Sequence, residues 1–168
     1  MTYATVNDLI RRFGAAEIAQ RSDRAKPRKL TEPLLVDAAA GADLSGYSSE
    51  QQAAAAAAID VLQTALADAD DTINAHISPR FTLPISPVPA ILARVACNLA
   101  RRYLYDDQVT DLIKAAYDDD MKLLCAVRDG KAALGVDGAT NEAPVSTAGA
   151  ELVTGERVWR RDNSRGFL

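Results

Sequence analysis

The sequence is poor in the residues on which β-sheet folds and disulfide-rich folds depend. Only 5% of its 168 residues are aromatic, and it has 9 glycines and 7 prolines. Many-stranded sandwiches and barrels need frequent turns and aromatic packing, so this composition argues against them. Cys97 and Cys125 are too few for a disulfide framework, and neither has a C-x-x-C partner.

Signals for membranes, secretion and nucleic acid are also missing. No apolar run approaches the roughly 20 residues that span a bilayer. Residues 1–8 lack the basic-then-apolar pattern of a secretion signal. A net charge of −4 and a pI near 5.0 do not fit a nucleic-acid binder. We therefore expect a soluble, cytosol-made protein with no membrane partner.

Alanine is the residue in excess, at 32 of 168 positions. It is the best helix former because its side chain loses no entropy in a helix. The prediction is an all-α fold, in which three longer helices and a short N-terminal helical pair form a small bundle. The predicted helices are 6–13, 15–21, 49–77, 89–106 and 110–129. The residues of the last helix that are predicted to face the core are Leu112, Ile113, Ala116, Tyr117, Leu123, Leu124 and Val127.

Local signals place the ends of these helices. Thr5 with Asp8 and Ser49 with Gln52 have capping-box spacing, and Thr110 is a predicted N-cap. A helix over 49–77 would be about 40 Å long, which is more than so small a domain can cover. We therefore expect its alanine-rich first half to be exposed or to pack against another chain.

The chain divides into three predicted parts. Residues 1–134 form a helical domain, in which 22–48 is an extended loop with a helical turn around 34–40. Residues 135–155 are rich in small residues and predict a flexible linker. An extended tail, 156–168, follows as a docking segment, because Trp, Phe and Arg anchor interfaces; the simpler interpretation is a disordered tail. Its predicted docking residues are Arg157, Trp159, Arg160, Arg161, Arg165, Phe167 and Leu168.

No residue pattern indicates catalysis, a cofactor or a metal. Three consecutive aspartates, 118–120, point about 100° apart on a helix and cannot converge on one cation, so a solvated acidic face is the better interpretation. His76 is the only histidine and has no evident nucleophile beside it. Cys97 and Cys125 are interpreted as buried small hydrophobes. We expect the protein not to be an enzyme.

Charge is unevenly distributed along the chain. Residues 21–29 contain five basic residues and one aspartate, and the docking segment is also rich in arginine. The helices between them are acidic. This pattern favours head-to-tail association, in which the basic part of one copy meets the acidic face of the next. A solvated surface without a partner is the alternative.

Several stretches of the chain form a recognisable set. They are YATVNDLIRRFG at 3–14, LADADDTINAHI at 66–77, SPRFTLPISPVP at 78–89, and residues 91–105, 131–135 and 160–167. The most specific of these features is the hinge Leu-Pro-x-x-Pro-Val-Pro between two helices. In these stretches the sequence resembles the small head–tail connector proteins of Mu-like phages and prophages. The resemblance covers the chain except 24–48 and 136–151.

That resemblance implies an adaptor in the virion neck. Such proteins form a ring, commonly of twelve copies, that sits under the portal and continues the DNA channel toward a tail terminator or stopper protein. DNA would pass without specific binding, because an acidic lumen repels phosphate. Asp118, Asp119 and Asp120 are the candidate lumen-facing residues, and the docking segment would clamp the portal or a neighbouring subunit.

Two other functions stay open at this stage. The first is an acidic helical regulator or inhibitor that binds a host or phage protein and needs no ring. The second is a metal-dependent enzyme built on the aspartate groups. A divalent-ion titration that follows thermal stability would separate the metal enzyme from the other two.

Overall fold

A computed structural model describes residues 2–106 and 108–136, and all regular structure in these ranges is helical. The predicted all-α fold is therefore confirmed. The predicted bounds of the longest helix are those observed. The six helices are α1 (Val6–Phe13), α2 (Ala15–Ser22), α3 (Glu32–Ala40), α4 (Ser49–Ile77), α5 (Ala90–Leu104) and α6 (Asp111–Arg128).

The observed helix N-caps lie at the predicted positions or within one residue of them. Thr5 and Asp8 form the predicted capping box of α1, and the Thr110 side chain accepts from the amide of Ile113 at the start of α6. The capping box of α4 lies one residue earlier than predicted, between Ser48 and Gln51. Both Ser-Gln pairs have the required spacing of three, so the sequence alone did not choose between them.

The segment 22–48 is more ordered than an extended loop. Its predicted helical turn is the nine-residue helix α3, in which Leu34 and Leu35 are fully buried. A proline in the first turn favours the start of this helix, and Gly41 ends it with a left-handed backbone, φ 69°. Burying two adjacent leucines stabilises a helix that its own propensity would leave marginal.

The core lies where α4, α5 and α6 pack together, and α1–α3 cover the remaining side of α4. In the first half of α4, Ala55 and Ala58 are buried, whereas Ala53, Ala56 and Ala57 face outward. The alanine-rich half is thus covered on one face by its own chain and exposed on another. Fully buried core residues include Leu62, Ile73, Ile77, Leu92, Val95, Leu99 and Leu124.

One predicted core residue of α6 is wrong. Leu112, which the sequence placed inward, has 77% of its surface exposed. The inward stripe of α6 instead begins one residue later, at Ile113, and continues through Leu124 and Val127. Adjacent residues on a helix point about 100° apart, and in α6 the direction that Leu112 takes leads away from the bundle.

Within the described ranges, none of the helices combines the length and apolar character of a membrane span.

Candidate functional site

The predicted docking residues lie outside the described part of the chain. Arg157, Trp159, Arg160, Arg161, Arg165, Phe167 and Leu168 all belong to 137–168, and the predicted linker is described only at Gly135 and Val136. Their roles stay predictions. The charged surfaces that a partner would contact can be described only on residues 2–106 and 108–136.

The three consecutive aspartates of α6 do not form one acidic face. Asp118 and Asp119 are exposed, and Asp119 pairs with Lys122 at 2.9 Å. Asp120 is only 2% exposed, so its prediction as a lumen-facing residue is wrong. Its carboxylate accepts from Arg94 Nη1 at 2.7 Å and from Asn98 Nδ2 at 2.6 Å, which joins α6 to α5.

The sequence contained a signal for this inward carboxylate. Asp120 lies seven residues after Ile113 and four before Leu124, and both of these residues were predicted to face the core. Residues at these spacings share one helix face. The helical period therefore places Asp120 inward, and its burial then requires donors from a neighbouring helix.

The basic residues at and just after the C-terminal end of α2 line a cavity with a volume of about 470 Å³. The guanidinium of Arg21 lies 4.0 Å from the centre of the Tyr105 ring, and its Nη1 donates to the neutral Gln108. Arg24 pairs with Asp106 at 2.5 Å. Packing on the end of α5 thus holds the basic segment, which we define as 21–29, against the bundle.

A buried aspartate organises the backbone of this basic segment. Asp23 accepts from the amides of Ala25, Lys29 and Leu30 at 2.8–2.9 Å. Burial by itself would raise the pKa of Asp23, but these three amide donors hold the pKa below its ordinary value. The fixed turn directs the neighbouring basic side chains outward around the cavity.

A second ionic cluster joins α2 to α5. Arg101 donates through Nε and Nη2 to both oxygens of Glu17, at 2.6 and 2.8 Å, and Tyr105 donates to the same carboxylate at 2.9 Å. The guanidinium also lies 4.4 Å from the centre of the Phe13 ring. Glu17 and Arg101 are 84 positions apart, so no local sequence signal could have paired them.

The exposed face of α4 is acidic. Asp60, Asp68 and Asp71 point away from the core, and their carboxylates have no hydrogen-bond or ion-pair partner among residues 2–106 and 108–136. Asp70, in contrast, is buried and accepts from the amide of Tyr3 at 3.1 Å. The described surface therefore carries uncompensated negative charge on α4 and an excess of positive charge at the basic segment.

The residues capable of metal or thiol chemistry are dispersed. His76 shares a hydrogen bond with the Thr72 carbonyl, one turn earlier, at 2.8 Å. Cys97 is buried, and burial raises the pKa of its thiol, which is opposite to the activation of a nucleophile. No group of three metal-ligating side chains converges within the described ranges.

Comparison with known proteins identifies the family. The family model described as "Bacteriophage Mu, Gp36" matches residues 3–152. This chain belongs to that family. It is 33% identical to "Gene product J" of Escherichia phage Mu over 168 residues, which is the full length of both chains. It is 36% identical to the "Mu-like prophage FluMu protein gp36" of Haemophilus influenzae over 107 residues, or 64% of this chain and 75% of the relative.

Family membership confirms the resemblance found in the sequence at the level of a Mu-like phage protein. The match includes residues 24–48, which contain α3 and most of the basic segment and which the sequence resemblance had left out. It ends at residue 152, before the predicted docking segment, but the alignment with the phage Mu protein continues to residue 168. The docking segment thus lies within the length that the two phage proteins share.

Proposed function

We propose that the protein is a structural component of the virion neck, a head–tail connector that joins capsid to tail. In this proposal it forms a ring, expected to contain twelve copies, under the portal. The ring continues the DNA channel and presents a surface to a tail terminator or stopper protein. The protein needs no cofactor, catalyses no reaction and contacts DNA without specific binding.

The observation that carries this proposal is the uncompensated charge of both signs on a tightly packed helical body. Of the four basic side chains around the 470 Å³ cavity, only Arg24 is in an ion pair among the described residues. On α4, the carboxylates of Asp60, Asp68 and Asp71 have no described partner. Such charges allow copies of the chain to associate head to tail, with a basic part of one copy, either the basic segment or the arginine-rich docking segment, on the acidic face of the next.

Ring closure would turn such modest contacts into a stable assembly. Each copy uses one charged surface toward each neighbour, and the final contact becomes intramolecular once the others have formed. The lumen assignment now rests on Asp118 and Asp119 alone, because Asp120 is buried. Their exposed carboxylates would repel the DNA backbone as it slides past.

The direct test is analytical ultracentrifugation of the full-length protein, alone and mixed with assembled portal from the same phage. We expect a small species alone and a ring-sized complex with the portal. Imaging of that complex by electron microscopy gives the copy number. A folded protein that never sediments with the portal would contradict the proposal and favour a regulator that binds another protein.

Deletion of residues 156–168 tests the proposed role of the docking segment. All the buried core described above lies before residue 137, so we expect the helical fold to stay intact. Incorporation into phage particles should be lost. A control that replaces 156–168 with a Gly/Ser sequence of equal length should fail in the same way, and normal incorporation of either variant would refute the role.

A further inference from the structure

A groove with an apolar floor and an acidic rim runs between α4 and α5. Its volume is about 310 Å³, which lies in the range of small ligand sites. The floor is formed by Val61, Ala65, Tyr103 and Leu104. Tyr103 is held in place by a 3.0 Å hydrogen bond to Thr72 and by edge-to-face packing, at 6.4 Å, on the Tyr117 ring. The floor is therefore fixed before any partner arrives.

The rim of this groove carries negative charge. Asp60 and Asp68 lie on it, and neither carboxylate has a described partner. The one cation on the rim, Arg24, is paired with Asp106. A fitting occupant would therefore place an apolar group on the floor and two cations on the rim.

The sequence contains a segment with this arrangement. In an extended chain, residues two apart point to the same side, so Arg157, Trp159 and Arg161 would share one face. The two arginines would then be roughly 13 Å apart along the strand. Asp60 and Asp68 are eight residues apart on α4, which corresponds to roughly 12 Å along the helix axis.

From this match of charge and spacing, we infer that the docking segment binds in the α4–α5 groove. Trp159 occupies the apolar floor, and Arg157 and Arg161 pair with the two rim aspartates. Arg160 is one residue from Trp159 and would therefore face the opposite side of the extended segment, and Arg165 lies beyond the groove. Neither makes a rim contact. The groove gives the docking role in the proposed connector a receptor on the chain itself.

The length of the intervening chain permits this binding. Val136 lines a cavity with Arg80 and Phe81, just beyond the end of α4. Asp68 lies roughly 14 Å back along α4 from Ile77. Residues 137–156 number 20, and a flexible chain of that length spans about 25 Å on average. The segment can therefore reach the groove of its own copy or that of an adjacent copy.

Trp159 reports on this binding directly, because it is the only tryptophan in the chain. In the unaltered full-length protein, its fluorescence emission should be blue-shifted relative to the denatured chain and protected from acrylamide quenching. The double variant D60K/D68K should lose both effects. D118K/D119K, which makes the same charge change at two exposed positions of α6, should keep them.

Charge reversal on the segment provides a second test with its own matched control. R157E/R161E should shift the emission to the red, whereas R160E/R165E, with the same change in net charge, should not. Combining R157E/R161E with D60K/D68K should restore the blue-shifted emission. Because the substituted rim residues are exposed, we expect the helices to stay intact in each variant. Circular dichroism checks this.

The outcomes separate cleanly. Emission typical of solvent-exposed tryptophan in the unaltered protein at every concentration would overturn the inference. Protected emission that stays unchanged in the D60K/D68K variant would also overturn it. Protection that survives dilution identifies the groove of the same copy, and protection lost on dilution identifies a neighbouring copy; both support the groove. Because this test needs no portal, it can fail while portal binding succeeds, and the reverse.

Discussion

Of the three aspartates that are buried among the described residues, Asp70 and Asp120 lie within long helices, and the fold stabilises these two in different ways. Asp120 on α6 meets a guanidinium from Arg94 and an amide from Asn98, both across the helix interface. Asp70 on α4 meets the backbone amide of Tyr3 and no cationic side chain among the described residues. One carboxylate joins two helices, and the other holds the segment before α1.

The two sites differ in how far their surroundings compensate the negative charge of the carboxylate. At Asp70, burial raises the pKa, and the Tyr3 amide offsets only part of that effect, while the nearby Asp71 adds to it. Keeping Asp70 ionised therefore lowers the stability of the native state. At Asp120, the ion pair with Arg94 compensates the charge, so removal of the partner should matter more than removal of the charge.

The largest expected effect follows from Arg94→Met. This change keeps much of the alkyl stem and leaves the Asp120 carboxylate buried beside Asn98 alone. We expect the free energy of unfolding to fall by about 2–3 kcal/mol. This is less than the roughly 3–5 kcal/mol for breaking a fully buried pair, because the Arg94 side chain is 41% exposed. Chemical denaturation at neutral pH measures it.

Lys122→Met is the matched control for this variant. Lys122 pairs with Asp119, the residue before Asp120, but both partners are about three-quarters exposed. Loss of such a surface pair should leave the free energy of unfolding almost unchanged, because solvent screens the two charges. Equal effects of the two substitutions would show that burial does not distinguish the neighbouring pairs.

A smaller loss is expected for Asn98→Ala. It removes one donor to Asp120 while the guanidinium stays, so the charge remains compensated. A hydrogen bond to a charged acceptor predicts a loss of about 1–2 kcal/mol. In the double variant with Arg94→Met, the combined loss should exceed the sum of the single losses, because no side-chain donor from α5 would remain. Strict additivity would argue against a shared site.

Much of the fold could be predicted from the sequence because its signals are local. Both bounds of α4, Ser49 and Ile77, follow from a Ser-Gln cap at one end and a proline-rich stretch at the other. The N-terminal cap of α6 at Thr110 was equally readable. Helix periodicity also identified the stripe through Leu124 and Val127.

What the sequence did not predict depends on contacts across long distances. The short helix α3 is stabilised by burial of Leu34 and Leu35 against other helices, which outweighs its short length. The Glu17–Arg101 pair joins residues 84 positions apart. Asp120 was misassigned because a run of three acids was treated as one surface, although the helical period separates its members. The α4–α5 groove likewise exists only once the two helices are packed.

The finest distinction between Asp70 and Asp120 is how stability depends on pH, which Asp70→Asn tests. Because burial raises the pKa of Asp70 above its ordinary value of 3.8, the native state holds this proton more tightly than the unfolded state. Stability therefore falls as pH rises from about 4 through the native pKa. Asparagine cannot titrate, and its Oδ1 can still accept from Tyr3. The decline in stability should therefore become shallower, and toward neutral pH the free energy of unfolding of the variant should rise relative to that of the unaltered protein.

Urea denaturation across this pH range measures the difference, with the exposed Asp118→Asn as control. Curves for Asp70→Asn that run parallel to those of the unaltered protein would mean that Asp70 is as well compensated as Asp120, and the contrast between the two sites would disappear.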